Sequence, residues 1–211
     1  VFDDVLNHIN TPTKFCAYAD DLVLFLEGKD TKSTEANMQR ILNETNTQMN
    51  KNGLEISIEK TKMMHLTNQL KKNIKIPNLK IDNQNIECVD SYKFLGVIFN
   101  HKLKWTEQID QLQQKTIKNI NLIKMLSHTK YGGERQTLLR IHESITTSIH
   151  NYSSLIFTKL TKKDEQKLNT IHTKSLKYSI GAFVTSPNTS IHAETGVMPL
   201  KHQRKIQLIK H

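Results

Sequence analysis

Cysteine is almost absent. Only Cys16 and Cys88 occur in 211 residues, far apart and in no metal-ligand spacing. A disulfide framework and a Cys-based metal site are therefore excluded, and a reducing, intracellular compartment is expected. Apolar runs are short as well. None approaches the roughly 18 residues of a membrane span, and no basic-then-apolar leader opens the chain. Trp105 is the single tryptophan. The basic helices described below thus lack the aromatic face of an interfacial membrane helix, and no membrane partner is expected. Acidic charge is scarce only in the second half. Residues 1–100 carry 12 Lys/Arg against 13 Asp/Glu, a net of −1; residues 101–211 carry 18 against 7, a net of +11. The excess positive charge is an electrostatic footprint for phosphate backbones, or else a solvated lysine-rich surface.

With 36% hydrophobic and 24% charged residues, the chain has the composition of a polar but folded protein with one or two domains. It opens at Val1 without a methionine and runs at once into Phe2, Val5 and Leu6, which reads as the middle of a longer polypeptide.

The pattern along the chain is α+β. Residues 14–19 and 22–26 are apolar runs pivoting on Asp20-Asp21, the pattern of a β-hairpin in a buried sheet with two acids at its tip. Met38, Ile41, Leu42, Thr45 and Met49 then recur at helical spacing over 33–51, closed by Asn52-Gly53. Leu54, Ile56 and Ile58 alternate as a strand does, and residues 61–66 extend it. Residues 67–78 read as a lysine-rich loop. Short strands follow: LKI, the turn residues Asp82-Asn83-Gln84, NIEC, and the longer YKFLGVIF.

After Asn100 the character is helical. Ile109, Leu112, Thr116, Ile120 and Ile123 mark a helix capped near Thr106. Gly132-Gly133 breaks it, and a second helix carries Leu138, Ile141, His142, Ile145 and Ile149. A third spans about 162–180, with Leu168, Ile171, Ser175 and Tyr178 on one stripe and Gly181 at its end. Ser186-Pro187 opens a fourth.

The acid pair is the informative feature. Carboxylates in an apolar sheet are costly unless they are paired or bind a cation, and adjacent ones oppose each other's ionisation. A divalent metal turns that cost into a site, because Mg²⁺ binds through one or two carboxylates plus substrate phosphates. Asp-Asp by itself also reads as an ordinary exposed turn. Framed as Tyr18-Ala19-Asp20-Asp21 between apolar strands, it resembles the catalytic hairpin of reverse transcriptases, and is similar to that of non-LTR (LINE-like, jockey-type) retrotransposons.

By that resemblance Asp20 and Asp21 are catalytic and metal-binding, with two Mg²⁺ ions in the intact enzyme, and Tyr18 sits beside the primer terminus. NGLEISIEKT, residues 52–61, is similar to the Gly-Leu-x-x-Asn-x-x-Lys-Thr stretch of the family, with Ser57 in place of Asn. It makes Lys60 a catalytic candidate near the incoming nucleotide. Lys60 reads equally as a surface lysine closing a strand, and Lys62 is the second candidate. SYKFLGVIFN, residues 91–100, resembles the primer grip, with Phe94, Leu95 and Gly96 as nucleic-acid contacts; alone it also reads as a buried strand. GGERQTLLRIHESITTSIHNYSS and SLKYSIGAFVTSPNTSIHAETGVMPL look like the thumb and the region after it.

The resemblance implies a partial right-hand polymerase. Residues 1–100 would be the C-terminal part of a palm, 101–160 a helical thumb, and 161–211 a basic helical post-thumb region. RNA template, DNA primer and dNTP are the implied partners, and the nucleus the implied location. VFDDVLNHIN is similar to the segment just before the hairpin, through Phe2, Asn7 and Ile9. Too few residues separate Asp4 from Asp20 for Asp3 or Asp4 to be the third carboxylate that such a site needs. The fingers and that carboxylate are expected upstream, so the fragment alone is expected to be inactive. The alternative is a nucleic-acid-binding remnant without catalysis.

Overall fold

The computed structural model describes residues 9, 12–67, 76–128, 130–157 and 160–210. They gather into two compact units, one drawn from residues up to 92 with 100–103, the other from 93–99 with 104 onward. The expected mixture of helix and strand is present. The segments at Phe2, Asp3, Asp4 and Asn7, and most of the 67–78 loop, lie outside the described residues.

In the first unit β1 (Lys14–Tyr18) and β2 (Asp21–Phe25) form an antiparallel pair with Phe15 opposite Leu24 and Tyr18 opposite Asp21. Helix α1 (Thr31–Lys51) begins where the Asp30 carboxylate accepts from the Ser33 amide at 2.9 Å, a side-chain cap for an otherwise orphaned N–H. It ends on Gly53 at φ 73. The Gly53 amide donates to Asn50 O and the Leu54 amide to Met49 O, so the left-handed residue lets two last-turn carbonyls be satisfied. Ile41, Thr45 and Met49 are buried. Met38 and Leu42 pack on Leu79, Ile81 and Ile86.

Residues 54–58 form no ladder; only β3 (Lys62–Met63) does, parallel to β6 (Glu87–Cys88). Ile56 and Ile58 still reach the Leu79–Ile81–Ile86 cluster, so the alternation is satisfied by packing without strand pairing. β4 (Lys80–Ile81) and β5 (Gln84–Asn85) close a hairpin on Asp82-Asn83, both at positive φ. Gln39 edges that hairpin as a strand would, donating to Lys80 O at 2.7 Å and accepting from Lys80 N at 2.8 Å.

YKFLGVIF, expected as one strand, is a hairpin of β7 (Ser91–Phe94) and β8 (Val97–Asn100). Leu95 at φ 45 and Gly96 at φ 80 occupy its two-residue turn. Two positive φ values in succession give the twist that lets strands return on each other. Glycine adopts such a φ freely, whereas leucine pays about 1 kcal/mol or more.

In the second unit α2 (Thr106–Leu126) buries Ile109, Leu112, Thr116, Ile120 and Ile123, the stripe read from the sequence. Its cap residue is Trp105, one before Thr106, with no side-chain cap bond. Trp105 meets Phe99 and Phe157 edge-on, with both ring centroids at 5.8 Å. Ile109, Leu112, Phe157, Leu168 and Leu200 form the core beside it.

After α3 (Arg135–Ile141) the helix widens to π geometry over His142–Thr147 and resumes as α4 (Ser148–Tyr152). The buried face is therefore Leu138, His142, Thr146, Thr147 and His150, and Ile145 and Ile149 are only half-buried. The wider turn rotates the helix relative to the stripe that a regular 3.6-residue period gives. Helix α5 (Lys162–Ser179) is capped by Thr161, whose hydroxyl oxygen accepts from the Asp164 amide. Past Gly181, the buried Lys177 ammonium donates to Val184 O at 2.8 Å, tying down the loop to α6 (Asn188–Thr195). The cap there is Pro187 rather than Ser186. Helix α7 (Leu200–Lys210), which the sequence reading omits, buries Leu200 and pairs Arg204 with Glu165 at 3.0 Å.

No described helix is long and apolar enough to cross a membrane.

Candidate active site

Asp20 and Asp21 stand at the β1–β2 tip, and Tyr18 is the cross-strand neighbour of Asp21. The turn is tight because Ala19 takes φ 52, a left-handed conformation that costs an alanine on the order of 1 kcal/mol. Both carboxylates are exposed, as is every residue of β1. The expected buried sheet is not what surrounds them. Among the described residues the hairpin is a two-stranded sheet of its own, with Phe15, Tyr18 and Phe25 open to solvent. Tyr18 is 65% exposed. The register puts Phe15 on one face and Tyr18 and Phe25 on the other; an isolated hairpin with exposed aromatics on both faces is marginal in water and gains stability when they are covered.

Two adjacent exposed carboxylates are hard oxygen donors of the kind that Mg²⁺ takes together with phosphate oxygens and water. The donor set fits that ion in part. Among the described residues no group of three or more His, Cys, Asp or Glu side chains is placed to hold a metal.

Lys60 lies in the 58–60 turn just before β3, in the same unit as the acids. Its side chain is exposed, and its carbonyl accepts from the Tyr92 hydroxyl at 3.2 Å. No hydrogen bond or ion pair among the described residues joins it to Asp20 or Asp21. Lys62 is differently placed: its ammonium is 2.6 Å from Glu87 across the β3–β6 pair. That pairing ties its head group to a partner strand.

Phe94, Leu95 and Gly96 belong to the second unit. All three are half-buried. Their turn is fixed by helical residues that the sequence reading did not single out. The Tyr152 hydroxyl donates to Leu95 O at 2.6 Å. The Tyr152 ring lies where a side chain on Gly96 would come within 3.6 Å. Gln108, 1% exposed, accepts from the Ile98 amide at 2.8 Å and donates to the Ser153 hydroxyl at 3.1 Å. Leu95, Gly96, Gln108, Lys115, Ser148 and Tyr152 line a groove of about 550 Å³. Gln108 leaves a faint mark in the sequence, a polar residue one turn before Leu112 on a mainly apolar stripe that also carries Thr116. Tyr152 leaves none beyond its place in the stretch that looks like a thumb.

A second polar cluster fills the helical unit. The His142 and His172 ring centroids are 4.9 Å apart, His150 lies edge-on to His172, and His192 stacks at 6.3 Å. Ser175 bonds His142 Nδ1 at 2.8 Å, and Thr116 bonds His150 Nε2 at 3.0 Å. Burial, with the neighbouring imidazoles His150 and His192, lowers the pKa of His142 to about 4. Burial and Arg204 lower that of His150 to about 4. Burial first, and then His142, His150 and His192, push His172 well below 6.5.

Residues 1–99 match the family model described as reverse transcriptase (RNA-dependent DNA polymerase). Over 122 residues the chain is 25% identical to a retrovirus-related Pol polyprotein from type-1 retrotransposable element R1 3 of Nasonia vitripennis. The aligned stretch is 56% of this chain and 32% of that protein. The chain thus spans about a third of the length of the curated relative it matches. No solved structure matches it.

Proposed function

The chain belongs, through residues 1–99, to the reverse transcriptase family, and from that premise we propose that it is the palm-hairpin-to-thumb portion of an RNA-directed DNA polymerase from a non-LTR retrotransposon. The observation that carries the reading is the Tyr18-Ala19-Asp20-Asp21 turn, with both carboxylates exposed at a hairpin tip inside the family-matching segment. Its substrates are an RNA template, a DNA primer and a dNTP, and an intracellular, nuclear place of action goes with it.

In this reading Asp20 and Asp21 hold Mg²⁺ together with the nucleotide's phosphates. Two such ions, when bound, stabilise charge on the attacking and leaving oxygens of an in-line displacement. The chain's own groups do the rest. Tyr18 abuts the primer terminus beside the acids. Lys60 extends an exposed ammonium suited to a pyrophosphate oxygen, where it supplies charge and a proton to the leaving group. The Phe94–Gly96 turn steadies the primer strand, and the basic helices hold the duplex through phosphates without reading sequence. A third carboxylate from elsewhere in the polypeptide would complete the metal site. The 211-residue chain alone therefore does not extend a primer.

Primer extension tests this. The chain joined to the preceding part of its polyprotein should incorporate dNTPs with Mg²⁺. Asp20→Asn should lower the rate by a factor of about 10³ or more, as expected when a group acting directly on transition-state charge is removed. Synthesis that survives Asp20→Asn would refute the assignment.

A further inference from the structure

The turn proposed as the primer grip is not self-supporting. Its two central residues, Leu95 and Gly96, are both at positive φ, and the leucine holds that conformation against its own steric preference. Something outside the hairpin must compensate. On one flank Gln108, almost wholly buried, takes the Ile98 amide. On the other the Tyr152 hydroxyl takes the Leu95 carbonyl at 2.6 Å, and its ring lies beneath Gly96.

The two supports are chemically unlike. Gln108 has no exposure to lose and serves the inside of the unit. Tyr152 is 65% exposed, so little apolar burial is gained by holding its ring there, and the bond to Leu95 O is what orients it. Tyr152 also lines the open groove with Lys115 and Ser148. An exposed aromatic that bonds a turn carbonyl and forms the wall of a groove is placed to set where the turn stands.

We infer that Tyr152 is the positioning residue of the grip: its hydroxyl fixes the Leu95–Gly96 turn in the conformation that receives the 3′-terminal strand of a primer–template duplex. This rests on the polymerase reading given above. Tyr152 acts through the turn and takes no part in the bond-making step. The functional unit is then composite, a hairpin tip near residue 95 and a helix end near residue 152, both within the second compact unit.

The experiment uses the 211-residue chain and fluorescence anisotropy with two oligonucleotides, an RNA–DNA duplex with a recessed DNA 3′ end and a blunt duplex of equal length. Wild type should prefer the recessed end. Tyr152→Phe keeps the ring and removes the donor; it should cut that preference about five- to tenfold, the effect of one lost hydrogen bond to an aligned group. Blunt-duplex affinity and the thermal midpoint should stay within about twofold and about 2 °C of wild type. Amide exchange at Gly96 and Val97 should quicken in the variant. A merely structural role would lower the midpoint and leave the ratio of the two affinities unchanged. Wild-type preference that Tyr152→Phe retains overturns this inference alone. A wild-type chain with no recessed-end preference overturns it together with the polymerase reading.

Discussion

Lowering the pH from 7.5 to 5 should unfold the helical unit preferentially, because its histidines are buried as neutral rings. His142 and His150 have pKa values of about 4 against an ordinary 6.5. A group with a depressed folded pKa contributes fully above its unfolded value. For an imidazole that contribution is lost as the pH falls from 6.5 towards 4, since the unfolded chain takes up the proton first. At pH 5 an unfolded imidazole is almost fully protonated and a folded one with pKa 4 is about one-tenth so. The difference destabilises the fold by about 2 kcal/mol per ring, or about 4 kcal/mol for the two. His172, shifted in the same direction, adds to the loss. A small domain has only about 5–15 kcal/mol in reserve.

The single tryptophan makes the assay specific. Trp105 packs edge-on between Phe99 and Phe157 in the core of the second unit, so its fluorescence reports that unit. In urea, with a slope near 2 kcal/mol per M, the midpoint should fall by about 2 M between pH 7.5 and pH 5. His150→Gln should reduce this pH shift whatever it does to absolute stability. A midpoint that is flat over the interval would refute the reasoning, because it would mean that the rings are protonated, or solvated, in the folded state.

Two further outcomes follow from the same unit. Gln108→Leu removes the acceptor of the half-buried Ile98 amide and the donor to Ser153; it should cost about 2 kcal/mol, read as a lower urea midpoint in Trp105 fluorescence, and an unchanged midpoint would show the amide to be hydrated. Residues 101–211 carry 18 Lys/Arg against 7 Asp/Glu, so duplex affinity should fall steeply with salt, by nearly one logarithmic unit per logarithmic unit of salt for each phosphate contacted; a flat salt dependence would assign the charge to solvation.

The helices were legible because their stripes are long. Ile109 to Ile123 and Leu168 to Ser175 give several turns each, and the hydrophobic effect selects the face. Helix α7 was missed because its cations dominate its short stretch; its inside is marked by Leu200, the Glu165-paired Arg204 and Gln207, which accepts from the Ser154 hydroxyl. Strands of two residues carry too little periodicity to be read. YKFLGVIF is apolar enough for one strand, and the break rests on the backbone at Leu95-Gly96, which side-chain pattern does not encode. The hairpin tip at Asp20-Asp21 was legible as a motif. Its exposure was not, because apolar strands imply a covering layer that the described residues do not include.

The polar ties at the grip turn also bear on why the turn falls where it does. Strand register is weakly specified when few apolar residues choose a face, and β7 and β8 have only four residues each. A slip by one residue would take Ile98 N from Gln108 and Leu95 O from Tyr152 together. It would also move the positive φ at Gly96 onto a residue with a side chain, beside the Tyr152 ring. The unmade bond at the half-buried Ile98 amide costs about 1–3 kcal/mol, the solvent-exposed one at Leu95 O less, and the misplaced φ about 1 kcal/mol more. The sum exceeds what two four-residue strands can recover through alternative pairing. Two hydrogen bonds and one glycine thus fix the register of a hairpin whose own side chains are too few to do so, and they place Leu95 and Gly96, rather than Phe94 or Val97, at its tip.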